Sequence, residues 1–207
     1  MDESQLNIPK KKSVFLMFII SLINGRIYDL FWFIGVSDKL NNLGTQAKLK
    51  KTIPVISLLI LIAIVLLSVV MVIFSTQLSD GNPVSDLSQI PTPFIVNAAF
   101  ILILSLIFII LNLFMAFRTR KILNQALINK GEKIKISWFF TLIFSLFYLQ
   151  YEINRIIDDK EANPRTGPWV CFVLILLLFV GSIIAQILVP SFLGVDTFSS
   201  GINDLLG

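Results

Sequence analysis

Three stretches of this sequence contain no charged residue and are each long enough to cross a lipid bilayer. They are residues 53–76, 93–117 and 168–193. At a rise of about 1.5 Å per residue, each helix would exceed the roughly 30 Å thickness of the hydrocarbon core. Only 14% of the 207 residues are charged, whereas soluble domains carry about 25%. The sequence therefore predicts an all-α integral membrane protein with one membrane domain, residues 1–207.

Two further apolar segments, residues 13–35 and 136–157, are interrupted by polar residues. The first is broken by Asn-Gly-Arg at positions 24–26, and the second is apolar for only its first half. Apolar stretches of about 10–14 residues more often re-enter or lie at the interface than cross. We therefore predict that both segments form re-entrant or interfacial helical hairpins beside the three spans.

The distribution of lysine and arginine favours this topology. If all five apolar segments crossed, the basic residues outside the break at 24–26 would divide ten to six between the two sides. If only the three long stretches cross, all sixteen lie on one side, as the positive-inside rule requires. We therefore predict a cytoplasmic N-terminus in the cell (plasma) membrane. The loop at 77–92 and the tail at 194–207 would be external, and the span at 93–117 would continue as a cytoplasmic helix to about residue 130.

The break in the first segment predicts a hairpin turn. Asn24 and Gly25 form a turn signal, so we expect residues 13–23 to enter the leaflet and residues 27–43 to return. Arg26 and Asp29 are three residues apart and are our candidate intramembrane polar pair, because pairing makes charge tolerable at that depth. We favour a structural pair at the tip; a proton or ion site is the alternative.

The second segment, residues 136–161, predicts a looser hairpin or interfacial helix. An apolar stripe in its second half indicates an amphipathic helix, with most polar residues elsewhere; the stripe comprises Leu146, Leu149, Ile153 and Ile156. Tryptophan and tyrosine favour the headgroup level. We therefore expect Trp138 and Trp169 to be interface anchors, together with Tyr28 and Trp32 in the first hairpin.

The ends of the two hairpins share an apolar-Asn-x-apolar pattern, at Asn41 and Asn154, and the extension of the second span offers Leu-Asn again at Asn124. It favours a duplicated unit of hairpin plus span, residues 13–76 and 136–193, joined by the span at 93–117. In so apolar a sequence, chance similarity is the alternative interpretation.

Residues 12–43 also resemble a family of prokaryotic multi-pass membrane proteins called domain of unknown function 4234. The matching residues are Ile27, Tyr28, Phe31, Trp32, Leu40 and Asn41. Asn24 stands where the family has threonine and Arg26 where it has glycine, with Gly25 one residue early. The resemblance implies a multi-pass bacterial or archaeal membrane protein and brings no catalytic residue with it.

The sequence contains no motif that indicates enzyme chemistry. It has no histidine, a single cysteine (Cys171) within an apolar run, and no nucleophile, metal-ligand or phosphate-loop motif. We predict no catalytic, cofactor-binding or metal-binding residues. The basic clusters abut apolar runs, which favours anionic lipid headgroups as partners rather than nucleic acid.

Three classes of function follow. The favoured one is a non-catalytic membrane scaffold or complex component with a membrane-protein partner or a second copy. The first alternative is a small channel or transporter that uses the hairpins, and the least favoured is a lipid-modifying membrane enzyme.

Overall fold

Helices account for all the regular secondary structure in the described part of the chain. The structure, a computed structural model, describes residues 9–79, 92–132, 134–158, 160 and 163–192, with side chains omitted at 76–79 and 185–192. The helices are α1 (Val14–Ile23), α2 (Ile27–Asn41), α3 (Thr52–Ser79), α4 (Thr92–Asn129), α5 (Trp138–Ile157) and α6 (Thr166–Phe192). The predicted tail at 194–207 and most of the predicted loop at 77–92 lie outside the described residues.

Helices α3, α4 and α6 are long and apolar enough to cross a membrane. This confirms the predicted all-α class and the three long apolar helices. The 38 residues of α4 form a helix of about 57 Å. This helix is longer than a hydrocarbon core of about 30 Å requires. The chain divides into two units, Met1–Ala162 and Asn163–Gly207. The second contains α6, which begins at Thr166 with Pro168 in its first turn, where proline removes no helical hydrogen bond.

The chain reverses sharply between α1 and α2. Ser13 caps α1 by accepting a hydrogen bond from the Leu16 amide at 3.3 Å. The helix ends at Asn24, and the next two residues have left-handed backbone torsions, with φ of 54° at Gly25 and 71° at Arg26. A left-handed residue cannot continue a right-handed helix, so α2 starts afresh at position 27.

We predict that alanine has opposite effects at two glycines of this hairpin. At Gly25 the positive φ makes a Cβ costly, and Gly25→Ala should destabilise the protein by about 1–2 kcal/mol. At Gly35, inside α2, a Cβ would meet nothing within 4 Å, and Gly35→Ala should stabilise it by about 0.5–1 kcal/mol. Thermal unfolding in detergent, followed by circular dichroism, measures both. A rise in the midpoint for Gly25→Ala would contradict the left-handed turn.

Helix α5 is also two helices, joined at Ser145. This residue has φ 43° and ψ −117°, far from helical values. We call residues 138–144 and 146–157 the two arms of α5. The hydroxyl of Tyr148 in the second arm accepts a hydrogen bond from the amide of Ser137 at 3.1 Å, and its ring lies 5.5 Å from that of Phe140 in the first arm. In a straight helix, residues 137 and 148 would lie about 16 Å apart along the axis.

Both ends of α5 contact the same part of α4. Arg120 of α4 donates through Nε to the carbonyl of Ile136, just before the first arm, at 2.9 Å. Ile153, near the end of the second arm, lines an apolar groove with Leu123 and Leu127 of α4. A straight helix of 20 residues would hold its ends about 30 Å apart. The chain therefore folds back at Ser145, and the second arm returns to the level where the first began.

The second arm of α5 runs antiparallel to α1. Phe18 contacts Phe147, with 5.6 Å between ring centroids, and Lys11 forms a salt bridge with Asp158 at 2.8 Å. Residue numbers therefore increase along one helix in the direction in which they decrease along the other. Because α2 turns back from α1 and packs against it, α2 and the second arm of α5 run in the same direction.

The two chain reversals lie at one level. The indole nitrogen of Trp32 in α2 donates to the side-chain oxygen of Gln150 in the second arm at 2.8 Å. Counting back five residues from each partner along these parallel helices leads to Ile27, where α2 starts, and to Ser145. We call the reversals at 24–26 and 145 the tips, and the opposite end of the first unit the base.

The core of the first unit lies around the C-terminal part of α4. No residue of α4 before Phe108 is buried. From there to Leu127, one face of the helix is buried; its members are Phe108, Asn112, Met115, Ala116, Thr119, Ile122, Leu123 and Leu127. Near the other end of α4, an amide hydrogen bond links Asn97 to the carbonyl of Leu67 in α3 at 3.2 Å. The hairpins thus pack beside only part of the α3–α4 pair.

Candidate functional site

Three asparagines at the base hold the backbone of three extended segments, and we call this arrangement the asparagine clamps. The asparagines are Asn41, Asn124 and Asn154, the same three that share the repeated sequence pattern. Each follows a buried apolar residue, namely Leu40, Leu123 or Ile153. The apolar residue anchors its helix in the core, and the next residue along the helix carries the amide that reaches a neighbouring segment.

Asn154 and Asn41 each make a pair of hydrogen bonds to one residue. Asn154 Oδ1 accepts from the amide of Lys12 at 3.1 Å, and its Nδ2 donates to the carbonyl of Lys12 at 2.6 Å. In the same way, Asn41 Oδ1 accepts from the amide of Leu49 at 2.7 Å, and Asn41 Nδ2 donates to the carbonyl of Leu49 at 2.9 Å. A side-chain amide presents one donor and one acceptor side by side, so it pairs with an extended residue as a neighbouring strand would.

The third clamp joins α4 to the segment before α5. Asn124 Oδ1 accepts from the amide of Ile136 at 2.8 Å, and Arg120 binds the carbonyl of the same residue. Gln125 and Arg118 of α4 likewise bind the segment before α3, through the amide of Ala47 at 3.0 Å and the carbonyl of Lys48 at 3.0 Å. Two of the three segments are therefore attached by hydrogen bonds to the polar C-terminal part of α4, after Phe117.

The clamped segments share a position and a composition. Each is rich in lysine and ends at the start of a helix; the sequences are KKKS before α1, KLKK before α3 and KIKIS before α5. Ser137 caps α5 as Ser13 caps α1, by accepting from the amide three residues later. The arrangement fixes where three helices begin.

A buried chain of amides continues inward from the Asn154 clamp. Gln150 Nε2 donates to Asn154 Oδ1 at 2.8 Å and to the carbonyl of Lys10 at 3.3 Å, while its Oε1 accepts from Trp32. The relative exposure of Trp32 is 3% and that of Gln150 is 0%. Trp32 is therefore a core residue, and the amide of Gln150, distant in sequence, accepts the hydrogen bond from its N–H.

Asp29 bonds to Ser21 rather than to Arg26. The Ser21 hydroxyl donates to Asp29 Oδ1 at 2.6 Å across the interface of α1 and α2, and both residues are buried. No salt bridge joins Asp29 to Arg26, whose side chain is exposed. The predicted contact assumed that both residues lie within one helix, but the left-handed backbone of Arg26 places it before α2 begins. The hydroxyl supplies the hydrogen bond that the buried carboxylate requires.

Glu152 and Arg155 form a second buried polar pair, in the second arm of α5. Their closest N–O distance is 3.9 Å, and their side chains are 2% and 7% exposed. Arg155 also donates to the Tyr151 hydroxyl at 3.3 Å and to the carbonyl of Lys160 at 2.8 Å. Of the apolar stripe in this arm, Leu146, Leu149 and Ile153 are buried and Ile156 is half-buried, and part of the polar face is buried too. This arm therefore packs inside the first unit.

Asp158 fastens the N-terminal segment at the surface of the base. The hydrogen bond from Lys11 holds the pKa of the Asp158 carboxyl below its usual range; slight desolvation opposes it, and the charges of Lys11 and Lys160 add to it. Because the folded-state pKa is the lower one, this contribution to stability is present above the unfolded pKa of about 3.9. It is lost as the pH falls through the folded value.

We therefore predict a release of the N-terminal segment by acid. With a spin label on Lys10→Cys in a Cys171→Ala background, label mobility should be constant from about pH 5 to 8 and rise below about pH 4. Asp158→Asn should raise the mobility near neutral pH and abolish the step. A step centred near pH 6–7 would contradict the assignment to this carboxyl.

The same label tests the Asn154 clamp. Asn154→Ala removes both hydrogen bonds to Lys12, and we expect the segment to loosen by about 1 kcal/mol, a roughly fivefold larger mobile fraction. Asn129→Ala is the matched control, because Asn129 is exposed at the end of α4. Equal mobility in the two variants would show that the clamp does not hold the segment.

The remaining predicted residues are divided between core and surface. Trp138 and Trp169 are 58% and 54% exposed. Of the family-like residues, Leu40 lies in the core and Asn41 forms a clamp, whereas Ile27 and Phe31 are exposed. Tyr28 faces Lys12, whose Nζ lies 5.8 Å from the ring centroid.

The described residues contain no group of three histidine, cysteine, aspartate or glutamate side chains that could hold a metal ion. The apolar groove between α4 and the second arm of α5 measures about 50 Å³ and has Lys130 on its rim. Comparison of the chain with protein-family models, curated proteins and solved structures finds no match.

Proposed function

We propose that this chain is a non-catalytic multi-pass membrane protein that acts as a scaffold or complex component at the cytoplasmic leaflet of the plasma membrane. In this proposal α3, α4 and α6 cross the bilayer, while the α1–α2 hairpin and α5 enter one leaflet and return. The N-terminus is cytoplasmic and the C-terminus external. The resemblance of residues 12–43 to domain of unknown function 4234 remains part of the proposal.

The extent of packing along α4 supports the half-depth hairpins. The apolar run of α4 ends at Phe117, before the first arginine, and its buried face starts at Phe108. These ten residues of helix correspond to about 15 Å, half of a hydrocarbon core of about 30 Å. Hairpins of this length fit within one leaflet.

The surface of the first unit supports the same topology. Apolar side chains beside the tips are exposed, among them Leu22, Ile23, Ile27, Leu142 and Ile143. The base exposes lysines, including Lys11 and Lys50. Apolar tips suit the acyl chains of a leaflet, and lysines at the opposite end suit anionic headgroups, each worth about 1 kcal/mol near the surface.

The observation that carries the non-catalytic proposal is the use of the buried polar side chains. Trp32, Gln150 and Asn154 bond to one another or to backbone, and the carboxylate of Asp29 bonds to Ser21. Groups committed in this way hold helices together. A transport path or catalytic centre instead needs polar groups that face a substrate.

Single-cysteine labelling tests the topology. Cys171→Ala removes the one native cysteine, and Lys50→Cys, Lys160→Cys and Ser85→Cys are then introduced one at a time. We expect a membrane-impermeant maleimide to label only the Ser85→Cys protein in intact cells, and all three after permeabilisation. Labelling of Lys160→Cys in intact cells would show that α5 crosses and would overturn the topology.

Purification from mild detergent with mass spectrometry tests the scaffold role. We expect a reproducible stoichiometric partner or a homo-oligomer, and Asp29→Asn should weaken folding or partner retention. In proteoliposomes we expect no ion flux. Flux that depends on Arg26, Asp29 or Glu152 would contradict the proposal and favour a channel or transporter.

A further inference from the structure

One molecule of this protein would place different numbers of helical segments in the two leaflets. In the first unit, α3 and α4 contribute equally to both leaflets in the topology proposed above, on which this inference rests. Helices α2 and α5 pack against α4, whose buried face starts at Phe108, and α1 packs against α2 and α5. Four additional helical segments therefore fall in one leaflet.

The added segments occupy a substantial area. An α-helix with its side chains is about 10–12 Å wide, which gives a cross-section of about 80–110 Å² per segment. Four segments add about 300–450 Å² to the leaflet that holds the base and nothing to the other. Lipids in the base leaflet must move apart to admit them.

The inserted segments face lipid along their length. On α1, Phe15 is 75% exposed near the base and Ile23 is 75% exposed at the tip. Phe31 on α2 and Leu142 on the first arm of α5 are exposed as well. The outer surface of the hairpins is therefore apolar from base to tip, as insertion requires.

The hairpins are also braced against collapse. The Trp32–Gln150 hydrogen bond joins the two hairpins at mid-height, and the Asn154 clamp and the Lys11–Asp158 salt bridge join them at the base. A cross-linked set of segments keeps its width when the leaflet presses on it. Loose single helices could instead tilt or leave.

We propose that this protein is a wedge that favours and promotes membrane curvature, convex on the side of its base. Its ligand in this role is the lipid leaflet itself. Added volume in one leaflet is relieved when that leaflet lies on the outside of a curved surface, so the protein should concentrate on highly curved membrane.

Protein density on single vesicles of different size tests the proposal. The Lys50→Cys, Cys171→Ala protein is reconstituted into phosphatidylcholine and phosphatidylglycerol vesicles, and an impermeant fluorescent maleimide marks only molecules whose base faces outward. As vesicle diameter falls from about 400 to about 50 nm, we expect the density of marked protein per lipid area to rise at least about twofold. Molecules marked on the inside after permeabilisation should show the reverse trend.

Paired variants separate the wedge from general insertion. Leu22→Ser with Ile23→Ser makes one tip polar and should flatten the dependence on diameter. Leu102→Ser with Ile103→Ser, at positions on α4 before Phe108 that are also exposed, should leave it unchanged. The two double variants are compared with wild type only if each protein elutes as a single species in size-exclusion chromatography. A wild-type density that is independent of diameter would overturn the wedge even if labelling from one side at positions 50 and 160 upholds the topology.

Discussion

Trp32→Ala is expected to lower the free energy of unfolding by about 3–5 kcal/mol. The side chain is 3% exposed, its ring lies 5.1 Å from that of Phe33, and its N–H donates to Gln150. Truncation therefore leaves a cavity and removes the donor that Gln150 Oε1 requires. Thermal or denaturant unfolding in detergent measures the loss.

Two variants divide that loss into its parts. Trp32→Phe keeps most of the ring and removes the donor, so it should cost about 1–3 kcal/mol. Trp138→Ala is the matched control: that indole is 58% exposed, and its removal should change stability in detergent by less than about 0.5 kcal/mol. Equal effects at positions 32 and 138 would contradict the buried link between the two hairpins.

Local chemistry explains the features that depend on neighbouring residues. An Asn-Gly pair in an apolar segment marks a turn because glycine tolerates positive φ, and α1 and α2 lie on either side of positions 24–26. The three long helices follow from runs without charge, and a helix that continues past Phe117 follows from the polar sequence after it. In each case the determining residues lie next to one another in the chain.

The clamps and the amide chain depend on residues far apart in sequence. The repeated pattern at Asn41, Asn124 and Asn154 is visible in the sequence, but the backbone that each one binds belongs to another segment. Trp32 and its acceptor are 118 positions apart. No local pattern distinguishes a tryptophan that meets a buried amide from one that does not, so the sequence could not predict the hydrogen bond between Trp32 and Gln150.

Ser145→Gly is expected to raise the stability of the protein, whereas glycine in a regular helix lowers it. The positive φ of Ser145 costs about 1–3 kcal/mol for a residue with a side chain, and glycine avoids most of that cost. Ser145→Val should be destabilising, because a β-branched residue at positive φ is an outlier. We expect thermal midpoints in detergent to rank glycine above serine and serine above valine.

The order of these midpoints distinguishes a fold-back from a continuous helix. If residues 138–157 formed one helix, Ser145→Gly would instead lower stability by about 0.5–1 kcal/mol. Ser68→Gly, in the regular part of α3, is the control and should show that loss.

Serine carries no turn signal as strong as that of glycine or proline. The reversal at 145 is therefore imposed by the attachment of both ends of α5 to α4, through Arg120 and Ile136 at one end and the groove around Ile153 at the other. If that attachment causes the bend, Arg120→Ala should reduce the stabilising effect of Ser145→Gly. Equal effects of Ser145→Gly with and without Arg120 would show that the bend has another cause.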